Sequence, residues 1–125
     1  MRLLLDTCAI LWWFADAPEL SPATAELIEQ EPAVFISPAS LWEIGIKQAI
    51  GKLSGPEDLL ERIRDSEFTE LPVRHDHVIT ASRLPRLHSD PFDRLLVAQA
   101  VRERLTIVTD DGKIEKYDVD VKQTS

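Results

Sequence analysis

Short apolar runs alternate with amphipathic stretches along this chain. RLLLD at positions 2–6 is an aliphatic run ending in a carboxylate, the pattern of a strand buried on both faces of a parallel sheet. AVFIS (33–37) and LTIVT (105–109) repeat it, and Phe68–Val73 and Val119–Val121 read as shorter strands. Helical stretches lie between them. Thr7–Ala15 contains no Gly or Pro and can start a helix directly after Asp6. Ser21-Pro22 and Ser37-Pro38 each place a capping hydroxyl before a proline at the first helical position. They predict helices to about Gln30 and about Ile50, the second closed by Gly51. Pro56–Ser66 carries Leu59, Leu60 and Ile63 on one face, and His75–Arg83 is also expected to be helical. After a loop at Leu84–Ser89, Asp90-Pro91 opens a strong helical pattern through Phe92, Leu95, Leu96, Gln99 and Ala100. Asp111–Tyr117 predicts a short helix or turn. Trp42, Ile46, Ala49 and Ile50 share a face of the third helix and are expected in the core. The alternation predicts one α/β domain over residues 1–125, a sandwich with a mostly parallel central sheet flanked by helices.

Composition narrows the class. A chain of 125 residues fits one domain, and 44% hydrophobic with 29% charged residues describes a folded rather than a disordered protein. Apolar runs such as Cys8–Ala15 are too short to span a membrane, and no signal-peptide cleavage pattern follows the N-terminus. The default expectation is therefore a cytoplasmic protein with no membrane role. The single cysteine excludes an internal disulfide framework and a thiolate zinc cluster. A net charge of -8, from 14 Lys+Arg against 22 Asp+Glu, argues against non-specific nucleic-acid binding by the chain as a whole. The charge is unevenly spread, however. Residues 3–46 hold seven acids and no Lys or Arg, whereas residues 74–104 hold six Arg, four acids and all three His. The basic stretch is either a scattered solvated set or a functional patch.

Candidate chemistry comes from where the acids fall. Ligands of parallel α/β sheets bind at the carboxyl ends of the strands. Asp6 lies at one such end, and Asp110 and Asp111 follow LTIVT at another. Glu43 sits on the helix after AVFIS, and Asp93 in the first turn of the helix opened by Asp90-Pro91. Each has a plainer reading. Asp6 can cap the next helix, Asp93 suits a helix N-terminus, and Asp110 and Asp111 suit a turn before Gly112. Together they describe a carboxylate cluster, whose members repel one another unless a cation is present. Oxygen donors without Cys or His point to Mg²⁺ or Mn²⁺ rather than Zn²⁺.

Four collinear segments carry a resemblance: LLLDTCAILWW (3–13), SPASLWEIGIKQAIGKL (37–53), LPRLHSDPFDRLLVAQA (84–100) and LTIVTDDGKIEKYDV (105–119). The chain resembles the PIN-domain ribonucleases, specifically the VapC-type toxins of type II toxin–antitoxin systems. The resemblance implies a PIN-like three-layer sandwich and a Mg²⁺- or Mn²⁺-dependent endoribonuclease, neutralised by a cognate antitoxin and forming a homodimer. It matches the four family acids to Asp6, Glu43, Asp93 and Asp111, with Asp110 the alternative for the last. Asp6, Asp93 and Asp111 are then the expected metal ligands. Glu43 is expected to orient or deprotonate a water that attacks phosphorus in line, leaving a 5′-phosphate and a 3′-hydroxyl. Thr7 and Ser40 are expected to hold water or the carboxylates in place. Arg94 is expected either to contact an RNA phosphate or to pair with a neighbouring acid.

Other residues carry weaker expectations. Cys8 stands where relatives often have His and is expected to be a buried apolar residue. Trp12, Trp13 and Phe14 are consecutive, so a helix cannot bury all three in one core, and Trp12 or Trp13 is expected either at a protein contact or in the core. Lys47 is spaced for an i,i+4 pair with Glu43. His75, His77 and His88 are expected on the surface or in loops. A haloacid-dehalogenase-like phosphatase requires a second Asp two residues after the first, where Cys8 stands. A catalytically silent PIN-fold binding module and a nuclease acting on DNA are the alternative functions.

Overall fold

The computed structural model describes residues 1–125. In chain order the elements are β1 (Leu3–Leu5), α1 (Thr7–Phe14), α2 (Pro22–Gln30), β2 (Val34–Ile36), α3 (Pro38–Ala49), α4 (Leu59–Arg64), β3 (Thr69–Glu70), α5 (His75–Arg83), α6 (Pro91–Glu103), β4 (Thr106–Thr109), a 3₁₀ turn (Ile114–Lys116) and β5 (Val121–Gln123). The strands pair in the order β3-β2-β1-β4-β5, and every pair is parallel. β1 is the middle strand, with Leu3, Leu4 and Leu5 all fully buried. Successive side chains of a strand point to opposite faces. Leu3 and Leu5 accordingly join Ile10, Ile28, Ile36, Ile44 and Ile63 on one side of the sheet. Leu4 joins Leu96, Val97, Ile107 and Ile114 on the other.

The three X-Pro signals mark helix starts. Ser21, Ser37 and Asp90 are N-caps whose side chains accept from Thr24, Ala39, and both Phe92 and Asp93 backbone N–H groups respectively. Gly51 has φ of 75° just past α3, a left-handed conformation that glycine adopts without a Cβ penalty. Three elements differ from expectation, the first being β3, which is confined to Thr69–Glu70 within Phe68–Val73. α4 is shorter than Pro56–Ser66 because Leu59 N–H bonds Pro56 carbonyl in a turn that precedes the helix. The last strand falls at Val121–Gln123, two residues late, where Ile107 pairs with Val121. The sheet has no antiparallel member.

The apolar face proposed for α3 is not core. Trp42, Ile46 and Ile50 are 68%, 37% and 59% exposed, and Ala49 is exposed as well. α3 instead buries Ala39, Ser40, Glu43 and Ile44. Neighbouring residues of a helix are rotated by about 100°, so turning Glu43 inward sends Trp42 out. Its indole lies edge-on to Phe92 with ring centroids 5.5 Å apart.

Candidate active site

Asp6 leaves β1 at the carboxyl edge of the sheet and caps α1. Its Oδ1 accepts from Ala9 N–H at 2.8 Å, and its Oδ2 accepts from the Thr109 hydroxyl at 2.5 Å. Thr109 ends β4, so the central pair of strands itself delivers the donor to the acid. The Thr109 oxygen also accepts from Asp111 N–H at 3.1 Å, which anchors the turn after β4. Glu43 enters from α3. Its Oε1 accepts from the Thr7 hydroxyl at 2.6 Å, and its Oε2 lies 3.0 Å from Lys47 Nζ. Thr7 Oγ1 is 3.2 Å from Ser40 Oγ, and Ser40 is fully buried behind it. Asp93 is in the first turn of α6.

These groups meet in one cleft of about 270 Å³. Asp6, Glu43, Asp93 and Asp111 line it together with Asp90 and Asp110, and Lys47 is the one cation among its lining residues. The cleft thus gathers all four matched acids from four separate elements. Asp110 and Asp111 differ in their partners. Asp111 Oδ1 accepts from Lys113 N–H at 2.8 Å and its Oδ2 faces His88, whereas Asp110 is exposed at the rim.

His88 is the residue that sequence reasoning missed. Its side chain is 7% exposed, and Nε2 lies 2.8 Å from Asp93 Oδ2 and 3.0 Å from Asp111 Oδ2. Nδ1 faces Asp90 N–H at 3.4 Å, which favours the tautomer with hydrogen on Nε2. That N–H then donates between the two carboxylates. The only signal available in the sequence was its place two residues before the Asp90 cap, where the chain must fold back over the first turn of α6. His77 also departs from a surface position: it is 1% exposed, and its Nδ1 accepts from Arg74 N–H at 3.0 Å.

Burial raises the proton affinity of Asp6 and Asp93. It pushes Asp6 up to about 6, against the opposing hydrogen bonds from Thr109 and Ala9, with Asp111 and Glu43 adding repulsion. Asp93 is pushed up to about 7 by burial and by the neighbouring Asp90, with His88 acting in the opposite direction. Cys8 is exposed on the cleft rim rather than buried. Desolvation and the negative charge of Asp6 raise its thiol to about 11, which leaves it a protonated, poor nucleophile.

The remaining expectations sort by geometry. Thr7 lines the cleft, while Ser40 reaches it only through Thr7. Lys47 makes the i,i+4 pair with Glu43. Arg94 turns away from the acids: its guanidinium donates to the carbonyls of Ala81, Leu84, Pro85 and His88 and to Tyr117 Oη. It holds the 84–89 loop, and so His88, in place, rather than pairing with a neighbouring acid. Trp13 and Phe14 pack edge-on against Phe68, with centroids 5.6 and 6.2 Å away, while Trp12 lines the cleft.

The donor set fits a divalent cation. Single ligand atoms of His88, Asp93 and Asp111 lie within 4.8 Å of one another, and the His88 N–H occupies the position between carboxylates where positive charge is needed. Asp6 and Asp93, buried carboxylates held above their ordinary range by desolvation, are stabilised as anions by a neighbouring positive charge. With hydrogen on Nε2, His88 is a donor to these acids and not a ligand, so the atoms left to face a cation are carboxylate oxygens, without the thiolates or multiple histidines of a typical zinc site.

Comparison with known proteins bears on the family and the fold. Residues 3–120 match the family model for the PIN domain. The chain is 30% identical over 122 residues to Ribonuclease VapC22 of Mycobacterium tuberculosis, covering 92% of this chain and 91% of that protein. Among solved structures it is similar in fold to VapBC2 from Rickettsia felis bound to a promoter DNA fragment, with a TM-score of 0.74, 18% identity and 98% of each chain covered. A toxin–antitoxin complex from Klebsiella pneumoniae gives a TM-score of 0.72 at 19% identity, covering 99% of this chain and 98% of that one.

Proposed function

From the premise that the chain belongs to the PIN-domain family, we propose that residues 1–125 form one domain acting as the ribonuclease toxin of a type II toxin–antitoxin system. The observation that carries this reading is the convergence of Asp6, Glu43, Asp93 and Asp111 on one cleft at the carboxyl edge of a parallel sheet. Its substrate is RNA, and the reaction is endonucleolytic hydrolysis of a phosphodiester.

Asp6, Asp93 and Asp111 would hold Mg²⁺ or Mn²⁺, which when bound supplies Lewis-acid charge to the phosphoryl oxygens. The chain's own groups do the rest. Thr109 and Ala9 fix both oxygens of Asp6, so its orientation is set before any ligand arrives. Thr7 and Lys47 fix both oxygens of Glu43, which leaves the carboxylate aimed to orient the attacking water and accept its proton. His88 positions Asp93 and Asp111 relative to each other. In-line attack then leaves a 5′-phosphate and a 3′-hydroxyl.

The partners in this reading are a cognate antitoxin and a second copy of the chain. The uncovered apolar row of Trp42, Ile46 and Ile50 on α3 supports a protein contact. No helix is long and apolar enough to cross a membrane.

The test is cleavage of total RNA by the antitoxin-free protein in Mg²⁺ or Mn²⁺, with end mapping by sequencing. Discrete cuts bearing 5′-phosphates are expected, lost with EDTA and in Asp6→Asn and Asp93→Asn. Retained cleavage by a folded Asp6→Asn protein would overturn the assignment.

A further inference from the structure

The acidic cleft poses a physical problem for a polyanionic substrate. Its lining carries six carboxylates and one lysine, and the chain as a whole has a net charge of -8. A cation at the reacting phosphate offsets charge there and does nothing for the neighbouring phosphates of the strand.

A second groove lies beside the cleft. It measures about 590 Å³ and is lined by Ser82 of α5, Arg86, His88 and Ser89 of the 84–89 loop, Arg94 of α6, and Lys113 beyond β4. Leu87 is its one apolar lining residue, and no carboxylate lines it. None of Arg86, Arg94 and Lys113 has a carboxylate oxygen within 4.0 Å, although acids outnumber bases in the chain. Arg94 bonds only to carbonyls and a phenol, so its charge is unneutralised at the groove floor. Arg86 and Lys113 are exposed at the edge. His88 belongs to both places: its ring touches Asp93 and Asp111, and it lines the groove. The groove therefore opens one side chain away from the acids.

We propose that this groove is a second phosphate subsite, holding the backbone of the RNA strand immediately outside the acidic cleft through Arg86 and Lys113 over the Arg94 floor. This rests on the ribonuclease reading and extends it: the acids select the bond, and the groove supplies the attraction that the acids lack. Ser89 adds a hydroxyl donor for phosphate oxygens, whereas the Ser82 hydroxyl already donates to the Val78 carbonyl at 2.8 Å. Arg86 and Lys113 make no hydrogen bond through their side chains, and only the Lys113 backbone N–H supports Asp111. Their substitution therefore leaves the site intact.

The experiment places R86Q/K113Q in the full-length Asp6→Asn protein and titrates it against a fluorescein-labelled mixed-sequence single-stranded RNA, by anisotropy at several salt concentrations. Affinity is expected to fall about tenfold, and the salt slope of log K to flatten by about 0.7 for each phosphate that is no longer neutralised. The control is R62Q/R64Q on α4, which removes the same charge elsewhere and is expected to bind like the parent. Unchanged affinity and slope in R86Q/K113Q would overturn the proposal, as would an equal loss in R62Q/R64Q. A single-stranded DNA of the same sequence, bound with the same dependence on Arg86 and Lys113, supports a subsite that reads phosphate alone. The two readings fail separately. No RNA cleavage by the unsubstituted protein counts against the nuclease assignment. Cleavage with RNA binding indifferent to Arg86 and Lys113 counts against the groove alone.

Discussion

Asp6 is a carboxylate kept in its place by two donors and in the wrong solvent for its charge. Its proton affinity is raised from the ordinary 3.8 to about 6 mainly by burial. The folded chain thus holds this proton more tightly than the unfolded chain does. The stabilisation is fully present below about pH 4 and is lost as pH rises through about 6. Without metal, the Asp6 contribution to the melting temperature is expected to fall between about pH 4 and about pH 7. In Asp6→Asn that decline should be absent, the difference amounting to about 3 kcal/mol at most, at about 1.36 kcal/mol per pKa unit. Thermal melts across that range, with EDTA present, check it; parallel pH profiles for the two proteins would refute the burial argument. At this scale Asp6, Asp93 and Asp111 were legible because each follows a strand or opens a helix, whereas Glu43, inside α3, stood out only through the segment around it. His88 was not, since its meaning depends on Asp93 and Asp111, which only the folded chain brings to it. Arg94 was legible only in part: adjacency to Asp93 suggests the substrate or an acid, whereas one residue along a helix turns the side chain to another face.

Elements were legible where short-range chemistry set them. Ser21, Ser37 and Asp90 announce their helices through the side chains that cap them. The orientation of α3 was not legible, because the helix carries apolar residues on more than one side and periodicity does not say which side faces in. The same limit moved β5, whose register is set by pairing with β4 and not by its own composition. Substitution energies separate the two sides of α3. Ile44 is fully buried, and Ile44→Ala is expected to cost about 3 kcal/mol, as buried Ile to Ala changes do. Trp42→Ser should cost about 1 kcal/mol or less, the worth of its edge contact with Phe92. Urea unfolding of both variants checks this; a Trp42→Ser loss as large as that of Ile44→Ala would mean that the row is core.

For the molecule as a whole, opposing charge is segregated into neighbouring compartments, an acidic cleft and a basic groove joined at His88. A cation that binds only the folded cleft stabilises the fold by mass action. Mg²⁺ or Mn²⁺ at about 100 times its dissociation constant should add about 2.7 kcal/mol, reversible by EDTA. Differential scanning calorimetry with and without the ion reads this directly. The increment should be lost in Asp93→Asn, and an equal increment there would place the ion elsewhere.

The bond between the Thr109 hydroxyl and Asp6 joins residues 103 positions apart in the chain. β1, which carries Asp6, is the middle strand, yet one of its two neighbours is β4. During translation the first acid therefore emerges long before the strand that orients it, and the turn bearing Asp111 comes out later still. A nascent chain on the ribosome has no assembled centre for most of its synthesis. The carboxylate cleft is consequently assembled only once nearly the whole 3–111 segment has been released to fold, so a chain cut short before Thr109 never carries it.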